Sequence, residues 1–236
     1  MLTGDEVGAL LGWWIAERGR RSGRPATGVY AQSIVSGTLL ERIAGDAGLG
    51  YATTLTGFKW ISKVPDLRFG YEEALGYCVD PEAVKDKDGI TASLLMLEMV
   101  AALKAQARGP QDVLDDLARK FGLYATSQLS VRVSDLSLIT DAMARLRADS
   151  PSTLGGREVL RMDDLEKGAD GLPPTDGLRF TLPDARVIVR PSGTEPKLKC
   201  YLQVVVPVTG DIADARSTAQ AELAALRSSV AEALAL

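Results

Sequence analysis

The sequence contains no histidine, and only two of its 236 residues are cysteines. The absence of histidine excludes catalytic triads and proton shuttles that use an imidazole, and metal sites with histidine ligands. Neither Cys78 nor Cys200 stands in the spacing of a metal or redox motif. Two cysteines this isolated are typical of reduced, mostly buried thiols in a cytosolic protein, so we predict a cytoplasmic location.

The sequence also lacks long apolar runs and an excess of positive charge. No apolar run is long enough to cross a bilayer, and the N-terminus does not have the basic-then-apolar order of a signal peptide. A net charge of -4 argues against general nucleic-acid binding. The basic segment over residues 18–28 is interpreted as a solvated linker, and the alternative is a contact with phosphate or RNA.

The first half of the chain alternates between helix and strand patterns. Thr3 and Glu6 have the spacing of a capping box, and apolar residues at helical intervals follow them. From Val29 the pattern predicts a strand, a short helix and a second strand over residues 51–61, which is typical of an α/β layer with parallel strands. A third strand that runs into a glycine-rich loop comes next, and then two helices, the first of them strongly apolar.

The pattern changes beyond about residue 130. Short β-rich segments there alternate with turns, and a long helix is predicted over residues 211–235. Strands joined by short turns favour an antiparallel sheet with helices on one side, an α+β unit distinct from the first. We therefore predict an α/β domain followed by an α+β domain, with the boundary between residues 125 and 135.

The most informative segment is VIVRPSGTEPKLKCYLQVVV, residues 187–206, in which two apolar β-rich runs flank a loop of small, cationic and proline residues. A hairpin tip needs glycine or proline, but it does not need several cations and two hydroxyls. Arginine can grip two phosphate oxygens, lysine adds a compact charge, and the backbone N–H groups of a turn bind anions. The residues predicted to bind phosphate are Arg190, Ser192, Gly193, Thr194 and Lys197.

Four motifs in the sequence resemble those of one enzyme family. RPSGTEPKLK is similar to the C-terminal phosphate-binding loop of the α-D-phosphohexomutases, the phosphoglucomutase and phosphomannomutase family. TLTGFKWI, FGYEEALGY and VKDKDGI resemble, in the family's order, its Thr-Gly loop, its sugar-specificity loop and its Lys-Asp-Gly segment. The resemblance covers essentially the whole chain, and it implies a three-layer α/β sugar-binding domain followed by an α+β phosphate-binding domain. It also implies an isomerase of carbohydrate metabolism, an intramolecular phosphotransferase that interconverts hexose 1-phosphate and 6-phosphate through a bisphosphate intermediate.

Two adjacent acids in the glycine-flanked loop suit the recognition of a sugar. Glu72 and Glu73 have no cation beside them in the sequence, and their carboxylates can accept hydrogen bonds from neighbouring sugar hydroxyls. The alternative is a pair of surface acids at the start of a helix. Family members often have serine after the two acids, whereas this chain has Ala74 and so resembles the phosphopentomutase-like branch. This favours glucose or pentose phosphates over mannose phosphates but does not decide which sugar is preferred.

The resemblance assigns roles to three further positions. Lys87 corresponds to a lysine near the reacting phosphate and is the one candidate catalytic residue; the alternative is one more cation in a solvated run. Thr56, Gly57 and Lys59 correspond to the first sugar-binding loop. The alternative for Lys59 is that its aliphatic stem packs beside Trp60.

Two loops that the family's mechanism requires are missing from this sequence. Neither a phosphoserine loop of the Thr-x-Ser-His-Asn-Pro type nor a Mg²⁺ loop of the Asp-Gly-Asp-x-Asp-Arg type occurs. Asp86 and Asp88 alternate with lysines and are not an equivalent metal site, so no metal ligand is predicted here. Since phosphoryl transfer depends on a positioned nucleophile and metal, the chain alone is predicted to be inactive. For the full-length enzyme, the resemblance implies Mg²⁺ as cofactor and a hexose bisphosphate as activator.

The chain is therefore predicted to be the C-terminal half of a truncated mutase, with the missing N-terminal half as a partner. Residues 1–24 are interpreted as a remnant of the metal-binding domain, residues 25–130 as the sugar-binding domain and residues 131–236 as the phosphate-binding domain. Trp13 and Trp14 on an exposed first helix would then favour self-association. The alternative is a stand-alone phosphosugar-binding or regulatory module. The expected ligand is a phosphorylated hexose or pentose, with neither nucleic acid nor membrane as a partner.

Overall fold

The computed structural model describes residues 1–193 and 195–235, and these form two compact units, Met1–Phe121 and Gly122–Leu236. The division between Phe121 and Gly122 lies before the predicted range of residues 125–135. The segment over residues 1–24, which the sequence analysis set apart, lies within the first unit. In the described part of the chain, no helix combines the length and the apolar character that a membrane span requires.

A four-stranded sheet forms the centre of the first unit. Its strands are β1 (Val29–Ser33), β2 (Gly50–Thr54), β3 (Leu67–Glu72) and β4 (Gly76–Cys78). Their order is β2-β1-β3-β4; β1 is parallel to both β2 and β3, and β4 is antiparallel to β3 at the edge. The predicted α/β layer with parallel strands is confirmed.

Helices cover both faces of this sheet. They are α1 (Gly4–Arg21), α2 (Leu39–Asp46), α3 (Phe58–Ile61), α4 (Gly89–Lys104) and α5 (Pro110–Phe121). Tyr30, Phe69 and Tyr71 point from the strands into one core, which α1, α2, α4 and α5 complete. The helix α3 supplies Phe58 and Ile61 to a smaller core on the opposite face. Apolar burial on both faces is what makes the three-layer arrangement stable.

One predicted strand, residues 51–61, is too long. The strand β2 ends at Thr54, and the chain then turns into the single helical turn of α3. Gly57 causes the break, because its φ of 106° and ψ of 128° lie in a region that residues with a side chain rarely adopt. The residues that looked like the end of a strand are therefore a short loop and the helical turn α3.

The first helix is packed, not exposed. Thr3 and Glu6 form the predicted capping box: the Glu6 N–H donates to Thr3 Oγ1 at 3.2 Å, and the Thr3 N–H donates to Glu6 Oε2 at 2.7 Å. Trp14 is buried and Trp13 is partly buried against the same core. The expectation of an exposed apolar helix that presents both tryptophans is therefore wrong, because the missing partner surface is provided by α2, α4, α5 and the sheet.

The second unit contains a five-stranded antiparallel sheet. Its strands, in the spatial order β5-β11-β10-β9-β8, are β5 (Leu123–Arg132), β8 (Arg161–Asp164), β9 (Leu178–Leu182), β10 (Ala185–Pro191) and β11 (Lys197–Val206). A separate hairpin is formed by β6 (Thr153–Leu154) and β7 (Arg157–Glu158), and Leu165–Lys167 is a 3-10 turn. The predicted antiparallel sheet is confirmed, and β5 begins earlier than the sequence pattern indicated.

Two helices, α6 (Leu136–Ala148) and α7 (Ile212–Leu234), cover one face of this second sheet. Their buried residues, such as Met143 and Leu226, pack on strand residues that alternate along the sheet, such as Val187, Val189 and Leu198. Since successive residues of a strand point to opposite faces, the residues between them, such as Ile188 and Lys199, lie on the face without helices. The α+β class with helices on one side is confirmed.

Candidate functional site

Three loops meet at the carboxyl edge of the first sheet. The parallel strands β1, β2 and β3 end at Ser33, Thr54 and Glu72, so the segments that follow them leave the sheet on the same side. In open α/β sheets, ligands bind at this edge. The two motifs predicted to recognise a sugar, one with Thr56 and Gly57 and the other with Glu72 and Glu73, are both located there.

A hydrogen bond joins these two motifs directly. The Gly57 N–H donates to Glu72 Oε1 at 2.6 Å, across 15 positions of the sequence. A backbone donor to a carboxylate fixes the rotamer of Glu72, and no residue in the described part of the chain donates to its second oxygen, Oε2. Glu72 is partly exposed, so this oxygen is available to a ligand hydroxyl.

Glu73 has different surroundings from Glu72. Its Oε2 accepts hydrogen bonds from the hydroxyls of Ser36 at 3.0 Å and Ser33 at 3.3 Å, and both serines are fully buried. The Glu73 N–H in turn donates to Ser36 Oγ at 3.1 Å. Burial raises the pKa of Glu73, an effect that the Ser36 hydrogen bond opposes. This carboxyl group ties the loop after β3 to the loop after β1.

The start of α1 supports the same loop from the other side. A Cβ added at Gly4 would stand 1.9 Å from the carbonyl oxygen of Glu73, so the helix and the loop are in backbone contact. The Tyr77 hydroxyl donates to the Gly4 carbonyl at 3.0 Å, and Asp5 Oδ1 accepts from the Gly37 N–H at 2.7 Å. Gly4, Asp5, Ser33 and Ser36 were not predicted from the sequence, because only the fold brings them into contact with Glu73 and Gly37.

The predicted lysines Lys87 and Lys59 both lie over aromatic rings, and Lys87 also has a neighbouring acid. The Lys87 ammonium is 5.7 Å from the centre of the Phe58 ring and 3.8 Å from Asp86 Oδ1, and its side chain is largely exposed. Its stem covers Gly76, where an added Cβ would meet Lys87 Cδ at 3.3 Å. Lys59 extends over the indole of Trp60, 5.8 Å from its centre, as the packing alternative predicted.

The tip of the loop is open to solvent. Ala74 and Leu75 are exposed, and Leu75, at 70% exposure, has a φ of 63°. A leucine in this left-handed conformation is strained, and such strain persists where the surrounding structure enforces it. Here the hydrogen bonds of Glu72 and Glu73 on one side and the β3–β4 pairing on the other hold the tip in place.

In the second unit, the predicted phosphate loop joins β10 to β11. Arg190 is partly buried at the end of β10, and its Cα is paired with that of Lys199 on β11. The turn is closed by the Ser192 N–H, which donates to the Lys197 carbonyl at 2.9 Å. Gly193 is exposed, and Thr194 lies outside the described residues. Arg190, Ser192, Gly193 and Lys197 are therefore neighbours at one hairpin end.

Metal binding has no support in the described residues. Across residues 1–193 and 195–235, no group of three or more acidic or cysteine side chains is arranged to hold a metal ion. Asp88 instead caps α4, since its carboxylate accepts from the Ile90 N–H at 3.0 Å and from the Thr91 hydroxyl at 2.7 Å. These hydrogen bonds lower the pKa of Asp88, with the Thr91 hydroxyl as the main cause.

Comparison with known proteins identifies the family. A sequence model of phosphoglucomutase/phosphomannomutase, alpha/beta/alpha domain III, matches residues 3–121, and a model of the C-terminal domain of the same enzymes matches residues 129–207. This chain belongs to the phosphoglucomutase/phosphomannomutase family. The first match begins at residue 3, so it includes most of the segment that the sequence analysis assigned to the metal-binding domain.

Individual relatives are considerably longer than this chain. A probable phosphomannomutase of Haemophilus influenzae is 44% identical over 202 residues, which cover 85% of this chain and 40% of the relative. A probable phosphoribomutase of Schizosaccharomyces pombe is 34% identical over 227 residues, covering 85% of this chain and 38% of the relative. A solved structure of a putative phosphomannomutase from Thermus thermophilus superposes with a TM-score of 0.63 at 24% identity, over 97% of this chain and 40% of that structure, and so supports the fold.

Proposed function

We propose that this chain is the substrate-recognising half of a phosphohexomutase, an enzyme that moves a phosphate between the 1- and 6-positions of a hexose through a bisphosphate. The hydrogen bond from Gly57 to Glu72 is the observation that carries this proposal, because it unites two motifs predicted separately to recognise the sugar. Family membership and the cationic hairpin around Arg190 support it. The whole-enzyme activity rests on relatives of which this chain spans about 40%.

The loop between β3 and β4, which we call the sugar loop, contributes two acids with different proposed roles. Glu72, with one oxygen fixed by Gly57 and the other open, accepts hydrogen bonds from a pair of sugar hydroxyls. Glu73 holds the loop in position through Ser33 and Ser36 and does not itself meet the sugar. Lys87, exposed above Phe58, is free to approach a phosphate group.

The second unit contains the residues that we propose to bind phosphate. Arg190 supplies a bidentate donor, Ser192 a hydroxyl and Lys197 a point charge, as they would for any phosphate monoester. We propose no phosphoryl transfer by this chain alone, because the sequence has neither the phosphoserine loop nor the Mg²⁺ loop. Mg²⁺, the bisphosphate activator, a missing N-terminal partner and a cytoplasmic location belong to the same proposal and concern the parent enzyme.

The first experiment is a titration of this chain with glucose 1-phosphate, mannose 1-phosphate and ribose 1-phosphate, followed by ¹H–¹⁵N NMR. We expect Glu72→Gln to weaken all three by about tenfold and Arg190→Gln by at least as much, since each removes a charge-assisted hydrogen bond. The matched controls, Glu82→Gln and Arg227→Gln, change exposed residues outside both loops and should leave affinity unchanged. Binding that both loop variants retain would contradict the proposal.

A second measurement separates the parent enzyme from the alternative, a stand-alone phosphosugar-binding module. The alternative draws support from the two units, each of which has its own hydrophobic core. The intact mass of the protein from its native source decides between them. A mass well above the 25.1 kDa of this chain favours the mutase, and a mass equal to it favours the module. Mutase turnover by this chain without a partner would overturn the predicted inactivity.

A further inference from the structure

The hairpin that joins β10 to β11, which we call the phosphate hairpin, contains an acid that forms ion pairs with the nearby cations. Glu195 Oε2 lies 2.5 Å from Lys197 Nζ, and Glu195 Oε1 accepts from the Arg132 guanidinium at 3.1 Å. Each oxygen of this one carboxylate is therefore used by a different cation. The Lys197 N–H also donates to the Glu195 carbonyl at 2.7 Å, which holds the acid at the turn.

The strand register places Arg132 beside the cations of the hairpin. Arg132 on β5 is paired with Lys197 on β11, and two positions further along β11, Lys199 is paired with Arg190 on β10. Leu198 between the two lysines is buried in the core under the helices. Because strand residues alternate between faces, Arg132, Lys197, Lys199 and Arg190 share the face without helices at one end of the sheet.

We propose that Glu195 is an internal counter-anion of the phosphate site, which a phosphate group has to displace from Lys197 and Arg132, and that Arg132 is a phosphate-binding residue. The inference rests on the proposed function of the hairpin. A phosphate dianion carries more charge than a carboxylate and accepts more hydrogen bonds, so it can replace Glu195 on both cations. Lys197 and Arg132 therefore have an anionic partner both with and without bound phosphate. The competition with Glu195 also limits the affinity for phosphate, so that a phosphorylated product can leave.

Two further observations agree with this exchange. The hydrogen bond from Lys197, aided by the charges of Arg132 and Lys199, lowers the pKa of Glu195, so the competing carboxylate is ionised at neutral pH. The side chains of Glu195 and Arg132 are 41% and 69% exposed, so both can turn away without disturbing the core. An exposed pair of this kind contributes little to folding, which makes it suitable for exchange.

The test uses inorganic phosphate as the probe, titrated into the full chain at about 20 mM ionic strength and followed by ¹H–¹⁵N NMR. Glu195→Gln keeps the shape and removes the competing charge, so we expect phosphate to bind about fivefold more tightly than to the wild type. The matched control is Glu166→Gln, since Glu166 is an exposed partner of Arg147 at 3.2 Å in the same unit. Affinity that is unchanged or weaker in Glu195→Gln overturns the inference.

The role of Arg132 is tested by substituting it in the wild type and in the Glu195→Gln variant. As a phosphate ligand, Arg132→Gln should weaken binding about threefold in the wild type and also in Glu195→Gln, whereas the exposed control Arg227→Gln should have no effect. If the effect disappears in the Glu195→Gln background, Arg132 acts only by neutralising the acid, and its assignment as a ligand is wrong.

Arg190→Gln distinguishes failure of this inference from failure of the proposed function. If phosphate binds the wild type and Arg190→Gln abolishes binding while Glu195→Gln changes nothing, the phosphate site stands and the counter-anion is wrong. If no variant binds phosphate, or if Arg190→Gln binds as well as the wild type, the proposed phosphate site is wrong and the inference falls with it. Circular dichroism of each variant confirms that it is folded.

Discussion

The proposed sugar loop of the first unit and the proposed phosphate hairpin of the second hold their acids in opposite ways. Glu73 is tied by two buried serine hydroxyls and packed against the start of α1, and burial raises its pKa. Glu195 is partly exposed to solvent and paired with the cations Lys197 and Arg132, and its pKa is lowered, mainly by the hydrogen bond from Lys197. The first arrangement fixes geometry before a ligand arrives, and the second can rearrange when one does.

Replacing glycine by alanine beside each loop should produce the largest difference in stability between the two regions. The Cβ of Gly4→Ala would stand 1.9 Å from the Glu73 carbonyl oxygen, so α1 or the loop has to move, and we expect a loss of about 3 kcal/mol. At Gly193 an added Cβ meets no described atom within 4 Å, and Gly193→Ala should be neutral. All three tryptophans lie in the first unit, so their fluorescence during urea unfolding measures the Gly4→Ala effect.

Gly45→Ala provides the control for that comparison. Gly45 lies in α2, where an added Cβ meets no described atom within 4 Å, and alanine is the better helix former by roughly 0.5–1 kcal/mol. We expect this variant to be slightly more stable than the wild type. A Gly4→Ala protein as stable as Gly45→Ala would show that the start of α1 does not support the sugar loop.

Replacing each acid by alanine compares how much the hydrogen bonds of Glu73 and of Glu195 contribute to stability. Glu73→Ala removes the acceptor that the buried hydroxyls of Ser33 and Ser36 share and leaves them only the 2.8 Å contact with each other, so we expect the first unit to lose about 2 kcal/mol of stability. Glu195→Ala should produce a much smaller loss, because the cations it releases remain partly accessible to water. Urea unfolding of both variants, with Glu73→Gln as the variant that keeps an acceptor, provides the measurement. An equal loss in the two alanine variants would contradict the contrast.

The pH dependence of unfolding should have opposite signs for the two acids. The pKa of Glu73 in the folded unit lies above its ordinary value of 4.5, so its contribution to stability falls as pH rises from that value through the folded pKa. The pKa of Glu195 lies below 4.5, so its contribution is present above this value and is lost as pH falls through the folded pKa. Subtracting the profiles of Glu73→Gln and Glu195→Gln from the wild type isolates each slope. Slopes of the same sign would show that burial does not dominate at Glu73.

The phosphate hairpin could be predicted from sequence more completely than the sugar loop, because its contacts are local. The hairpin is a local structure whose cations, hydroxyls and turn residues are adjacent in the chain, so its composition alone predicted an anion site. The sugar loop depends on partners far apart in sequence, such as Gly4 and Glu73 or Ser36 and Glu73, which only the folded sheet brings together. The sequence therefore predicted which segments form the loop but not that Glu73 is bonded to two buried serines.

Two other predictions from sequence failed for a similar reason. Trp14 was expected on an exposed helix, because the apolar stripe of α1 does not reveal that α2, α4 and α5 of the same unit cover it. The strand predicted over residues 51–61 ended early, because the β-rich composition of the segment concealed the positive φ of Gly57. Arg132, in contrast, lies near the end of an ordinary strand, and only its register with Lys197 relates it to the hairpin.

The smallest effect that we predict concerns the response of each acid to salt. Ions in solution screen exposed charges, so raising NaCl from about 20 mM to about 500 mM should move the pKa of Glu195 up towards its ordinary value. The pKa of Glu73 should stay in place, because desolvation by the protein, and not a charged partner, is the main cause of its shift. Titration of the two carboxyl carbons by ¹³C NMR at both salt concentrations measures the difference. If both values move together, charge–charge interactions control the sugar loop as well, and its preorganisation would have to come from the packing of α1 alone.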